Sequence, residues 1–214
     1  MQKIMFNEHY GLQTAVEKGY KKQTRRFVGF PLKVYSGCYL KDASPDEYTI
    51  SIKEDGLAYY TYDKGEYEVP TRYQPKYKVG EVVAIARSYD EIKKLRPDSI
   101  IPYEIGNPGK TNKMYVSASM MIDWIRITGI EAQRIQDLTE NDCLEEGVLK
   151  DDGILGGYYV PGIERKDRDG SIWTTIFYSP KEAYAALINK LGKKGTWAKN
   201  EWCYAYKFEY LKHI

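Results

Sequence analysis

Eight consecutive residues, Gly19-Tyr20-Lys21-Lys22-Gln23-Thr24-Arg25-Arg26, put four cations, one hydroxyl and a conformationally permissive glycine side by side. That combination suits a backbone turn that meets an anion. Lys and Arg offer charge-assisted hydrogen bonds to phosphate or carboxylate, and Thr24 is a possible nucleophile beside them. The simpler expectation for such a run is a solvated helix end, where cations oppose the dipole and need no ligand. A second candidate lies in segment 135–147. Thr139 there predicts a helix cap with Asp142 three residues on, Leu138 stapling onto Cys143, and Gly147 as the stop. Glu145 and Glu146 then fall in the last turn, where a carboxylate is unfavourable by a few tenths to ~1 kcal/mol. At about 100° per residue, Glu146 sits closer than Glu145 to the apolar face of Cys143, Leu144 and Gly147, so it is the one at the margin of burial. A carboxylate so placed is expected to have a raised pKa, which suits a general base. Its replacement by Gln is then expected to be neutral or slightly stabilising.

Other chemistries are expected to be absent. His9 and His213 are the only histidines and lie near the two ends, which disfavours a zinc site or a histidine-based triad. No metal and no cofactor is expected. Cys38, Cys143 and Cys203 are odd in number and widely spaced, as reduced core thiols of a cytoplasmic protein would be. Gly106-Asn107-Pro108-Gly109-Lys110-Thr111 ends like a phosphate-binding P-loop, but its first required glycine falls on Glu104, and the segment runs toward an expected strand at Tyr115-Val116-Ser117-Ala118. It reads as a turn. So does Asp167-Arg168-Asp169-Gly170, which lacks the later ligands of a calcium loop.

These residues need a scaffold. At 214 residues with 43% hydrophobic content, the chain can bury one large core, and no stretch is apolar for long enough to span a bilayer. Charge is uneven: residues 1–41 carry eight Lys/Arg against two acids, residues 42–75 eight acids against three cations, and the stretch from Lys190 onward six Lys against two Glu. Such an arrangement can steer a polyanion to one face. Lys3-Ile4-Met5-Phe6 reads as a short strand, and Leu12, Ala15, Val16 and Gly19 as a helix over about 11–18 that ends at the glycine. Asp55-Gly56 between residues 48–52 and 57–62 predicts a hairpin. Residues 82–86 read as a buried central strand, 124–130 as an alternating one, Pro180 to Leu191 as a helix capped by Ser179, and Trp202 to Leu211 as a closing aromatic strand. Strands with a few helices between them suggest an α+β domain built on a curled, barrel-like sheet.

The spacing Gly19-x-Lys21-x-x-Thr24-x-Arg26 resembles the signature of the ASCH domain, a branch of the PUA-like superfamily of small β-barrels that bind RNA. The helix ending at the signature, the Gly80-Glu81 turn into a central strand, the acidic helix within 135–147 and the aromatic strand from Trp202 fit the same pattern. Residues 27–75, 88–113 and 148–178 look like insertions in a single domain spanning 1–214. Long forms with a late Trp197, Asn200 and Trp202 resemble phage and prophage proteins. The resemblance implies a PUA-like cleft that holds RNA or a nucleotide, with Lys21, Lys22, Arg25 and Arg26 on phosphate and Tyr rings stacking on bases. It also implies an alternative: an amidohydrolase acting on a modified nucleoside such as acetylcytidine. In that case Thr24 is the nucleophile, Lys21 assists its deprotonation and Glu146 moves protons at the leaving amine. A host-interaction role for a phage protein is a third reading. The geometric expectation common to the first two is that Lys21, Thr24 and Glu146 line one cleft.

Overall fold

The computed structural model describes residues 1–28, 33–36, 39–42, 44–62, 67–101, 106–153 and 156–212. In chain order the first half runs β1 (Lys3–Ile4), α1 (Leu12–Glu17), β2 (Gln23–Phe27), β3 (Lys33–Ser36), β4 (Tyr39–Asp42), β5 (Tyr48–Ile52), β6 (Ala58–Tyr62), β7 (Tyr67–Pro70), β8 (Val82–Ile85) and α2 (Tyr89–Leu95). The second half runs β9 (Trp124–Arg134), α3 (Glu140–Glu145), β10 (Leu149–Asp151), β11 (Gly157–Tyr159), β12 (Glu164–Lys166), β13 (Ile172–Thr174), α4 (Pro180–Leu191) and β14 (Trp202–Leu211). The protein is α+β.

The centre is a five-stranded sheet in the order β1-β8-β9-β14-β2, with β1 parallel to β8 and every other neighbour antiparallel. Strand β14 explains much of it. Trp202, Tyr204, Tyr206 and Phe208 are buried, as the alternation requires, but Cys203 and Ala205 are buried too because both faces of this strand are covered. Helix α4 packs over the sheet with Ala183, Tyr184, Leu187 and Ile188 in the main core, joined by Leu12 and Val16 of α1 and by Leu138 and Cys143 around α3. A smaller core of Tyr89, Ile92, Val116, Met121 and Ile122 surrounds Ala84.

The sheet curls until its two edges approach. Arg26, on β2, donates from Nη2 to the carbonyl of Met5, just after β1, at 2.8 Å, and the Phe6 and Phe208 rings stand 5.8 Å apart. No ladder joins β1 to β2, so among the described residues the expected barrel is not closed. The reason lies in β1, which is two residues long and gives the opposite edge almost no backbone to pair with.

Local signals held where they were strong. The hairpin β5–β6 turns through Gly56 at φ 76°, pairing Ile52 with Ala58. Helix α4 starts at Pro180 with Ser179 accepting from Glu182 N, and Thr139 caps α3 in a reciprocal pair with Asp142. The expected strand at Tyr115-Val116-Ser117-Ala118 is a correction: two 3-10 turns, Lys113–Tyr115 and Ala118–Met120, stand there. Asn112 and Ser117 take the amides of Met114 and Ser119, the local competition that draws such residues out of ladders. Lys3 Nζ also holds the carbonyls of Lys113, Met114 and Val116. The P-loop-like segment is a 3-10 turn, Pro108–Lys110, as its turn reading requires, although no strand follows it.

Candidate functional site

Helix α1 stops at Lys18, and Gly19 reverses the chain at φ 76°, a conformation that costs glycine little, so that the amides of Tyr20 and Lys21 both return to the Ala15 carbonyl. This sends Lys21 inward just before edge strand β2. Far along the chain, α3 ends at Glu146, and Gly147 turns away at φ 104°, where a Cβ would stand 3.2 Å from Leu12 and 3.8 Å from the Lys21 stem. The two helix ends therefore meet.

Their meeting makes a buried charge cluster. Lys21 Nζ donates to the Glu146 carboxylate at 2.6 Å and to the Glu146 carbonyl at 2.8 Å, so a single ammonium both neutralises the carboxylate and caps the end of α3. Arg25 Nη1 donates to the other carboxylate oxygen at 2.9 Å. With the Gln133 amide oriented so that its oxygen faces the guanidinium, Arg25 Nε and Nη2 donate to it at 2.8 and 2.5 Å. Gln23, on the same face of β2 as Arg25, reaches the Asp142 carboxylate at 2.8 Å and that of Glu145 at 3.1 Å. Burial lowers the Lys21 pKa from its ordinary value, with Glu146 pulling the other way. Burial, opposed by Arg25 and reinforced by Glu146, pushes the neighbouring Cys143 and Cys203 thiols up to about 12, which leaves them as inert core groups.

Two sequence expectations change here. Glu146 is 3% exposed rather than marginal, and its position at the negative end of a helix is compensated by two cations. The solvated-helix-end reading fails for half of the basic run. Lys21 and Arg25 are buried and committed to Glu146, which takes both away from direct phosphate contact, whereas Lys22 and Arg26 are exposed. Those last two diverge: Lys22 lines a shallow groove with Tyr20, Glu145 and Lys150, while Arg26 stands at the seam between the sheet edges.

Lys21, Thr24 and Glu146 line one cavity of about 90 Å³, together with Arg25, Arg26, Met5 and Phe6, under the α4 residues Tyr184 and Leu187. Thr24 is 4% exposed, and neither its hydroxyl nor that of Tyr184 has a hydrogen-bond partner among the described residues. Burial holds the Tyr184 phenol well above its usual pKa, so it stays protonated and able to donate. Tyr184 and Gln133 were not singled out in the sequence. Tyr184 sits on the apolar stripe of α4 and Gln133 within an alternating strand, and nothing local separates either from ordinary core.

A wider cleft of about 480 Å³ adjoins this cavity, the two sharing Met5 and Arg26 in their walls. Among the described residues no group of His, Cys, Asp and Glu is arranged to hold a metal ion. No described helix is long and apolar enough to cross a membrane. Cys38 and His213 lie outside the described residues. Comparison with protein-family models, with curated proteins and with solved structures finds no match to this chain.

Proposed function

We propose that this chain is a PUA-like domain that binds RNA or a nucleotide where the two edges of its curled sheet meet. One observation carries the reading: the Lys21–Glu146–Arg25 cluster faces a cavity lined by two hydroxyls, those of Thr24 and Tyr184, that have no hydrogen-bond partner among the described residues. Two hydroxyls free to bond on the wall of a polar cavity are a feature of recognition more than of packing. A volume of about 90 Å³ suits a small polar group of the ligand, not a whole nucleotide. The expected phosphate contact narrows to Arg26 at this cleft, because Lys21 and Arg25 are buried and already engaged, Lys21 by Glu146 and Arg25 by Glu146 and Gln133. Lys22 serves a separate groove. The measurement is affinity for a short single-stranded RNA against salt. Binding should weaken as salt rises, and Arg26→Ala should lower the salt slope by about 1. Undetectable binding to any RNA or nucleotide at low salt would sink the proposal.

A second reading, an amidohydrolase acting on a modified nucleoside such as acetylcytidine, is favoured by the unpartnered Thr24 hydroxyl in the same cavity as Lys21 and Glu146. In it the Thr24 oxygen attacks the acyl carbon. The Lys21–Glu146 pair passes the hydroxyl proton to the departing amine, and water then releases the acyl group from Thr24. Burial helps by making the Lys21 proton easier to give up. Acetate release from N4-acetylcytidine is the readout: Thr24→Val should abolish it and Thr24→Ser retain it. No release by the unaltered chain ends this second reading and leaves the first standing.

A further inference from the structure

The wider cleft is chemically unlike the cavity it adjoins. Its walls comprise Arg26, Lys76 and Lys3 as cations, Tyr73, Tyr77, Tyr204, Tyr206 and Phe27 as rings and, among the described residues, no acidic side chain. The rings divide into two kinds. Tyr77, Tyr204 and Tyr206 are buried, and each hydroxyl is engaged: Tyr77 with the Lys3 carbonyl at 3.0 Å, Tyr204 with the Tyr73 carbonyl at 2.6 Å, and Tyr206 accepting from the Lys76 amide at 2.9 Å. These three form the floor, and their bonds pin the segment that carries Tyr73 and Lys76. Phe27 is 38% exposed, and Tyr73 is half-buried with the Arg72 guanidinium 5.9 Å from its ring centre, so each ring keeps part of its surface accessible to a planar group.

The cations divide in the same way. Lys3 spends its ammonium on three backbone carbonyls. Arg26 uses only Nη2, on Met5, and Lys76 lies 5.2 Å from the Tyr77 ring centre; neither forms an ion pair among the described residues. Two uncommitted cations, two open rings and a pinned floor around about 480 Å³ fall within the size range of small-molecule sites, roughly 300–1,000 Å³.

We infer that this cleft seats the base and phosphate of a nucleoside phosphate, with Arg26 and Lys76 on the phosphate and Tyr73 and Phe27 against the base. The inference rests on the nucleotide-binding reading above and deepens it: the site selects phosphorylated nucleosides, free or within RNA, over uncharged nucleosides. Arg26 stands in the walls of both spaces, so a phosphate held there sits between a base in the cleft and a small polar group in the Thr24 cavity. A charge-assisted contact of this kind is worth a factor of about ten or more in affinity.

The test titrates the full chain at low salt with the four nucleosides, their 5′-monophosphates, hexauridylate and inorganic phosphate, following intrinsic fluorescence and calorimetry. At least one monophosphate should bind about tenfold or more tightly than its nucleoside, and a paired Arg26→Ala, Lys76→Ala variant should lose that preference while still binding the nucleoside. Both side chains are exposed, so unchanged circular dichroism and melting verify the fold. Hexauridylate binding more tightly than uridine monophosphate, through the same two residues, assigns the site to RNA, and equal affinity assigns it to free nucleotides. A nucleoside bound as tightly as its monophosphate overturns the inference while leaving the binding function intact. The same holds if the paired variant keeps the preference, or if inorganic phosphate alone matches the nucleotides. Absence of binding by every probe overturns both readings.

Discussion

Two buried arginine–carboxylate networks stand on the same curled sheet, and they differ in what is left over. In the first, Arg87 donates from Nε to Asp123 at 2.9 Å and from Nη2 to Asp123 at 2.5 Å and to Glu17 at 2.6 Å. Tyr210 completes it by donating to the second Asp123 oxygen at 2.8 Å. Its hydroxyl is matched, and the network borders neither the Thr24 cavity nor the tyrosine-floored cleft. In the second, Glu146 holds Lys21 and Arg25 just as tightly, but Thr24 and Tyr184 line a cavity with hydroxyls unmatched among the described residues. Buried charge is common to both, so buried charge does not mark a site. Unmatched hydrogen-bonding capacity against an open space does.

The largest effects should come from removing either central carboxylate. Glu146→Ala strands two buried cations and should cost about 3–5 kcal/mol in urea unfolding, and Asp123→Ala a similar amount. The paired state also reverses the expectation that Glu146→Gln is neutral: the amide removes the countercharge of Lys21 and Arg25 and should be clearly destabilising. A cost below about 1 kcal/mol for Glu146→Ala would show that the cluster is not paired in solution.

The hydroxyls sharpen the contrast. Tyr210→Phe breaks a made bond and should cost about 1 kcal/mol. Thr24→Val removes a hydroxyl that bonds nothing among the described residues, so stability should hold or rise while ligand affinity or turnover falls. If Thr24→Val is as destabilising as Tyr210→Phe, the two networks are equivalent and the cavity loses its meaning. Thr139→Ala, which removes the cap that orients α3 toward Lys21, should cost about 1 kcal/mol and shift Asp142 and Glu146 together.

The smallest effect is on pH. Burial opposes the Asp142 carboxylate, but hydrogen bonds from Gln23 and from the Thr139 amide and hydroxyl outweigh it and lower its pKa from 3.8. A carboxyl whose folded pKa is depressed contributes stability above its unfolded pKa, and that contribution is lost as pH falls through the folded value. Acid unfolding below about pH 4 should therefore be shallower in Gln23→Leu than in the unaltered chain. An identical acid limb in both would remove Gln23 from the account.

What the sequence determined by itself was local. Asp55-Gly56 set a hairpin, Ser179-Pro180 and Thr139 set the starts of α4 and α3, Gly19 and Gly147 set two chain reversals, and the alternation from Trp202 set the closing strand. Each of these depends on neighbours within a few residues, where propensity, capping and period act directly. The segment at 113–120 escaped because the side chains of Asn112 and Ser117 compete with a ladder, and the amino-acid types alone do not show which wins. The separation of Lys21 and Arg25 from Lys22 and Arg26 belonged to the tertiary structure. It arises because Glu146, 125 residues from Lys21 and 121 from Arg25, is folded against one part of the basic run and not the other. Tyr184 and Gln133 joined the site for the same reason: a hydroxyl or an amide on an ordinary core stripe gains chemical meaning only when distant elements leave a cavity, or a guanidinium, facing it.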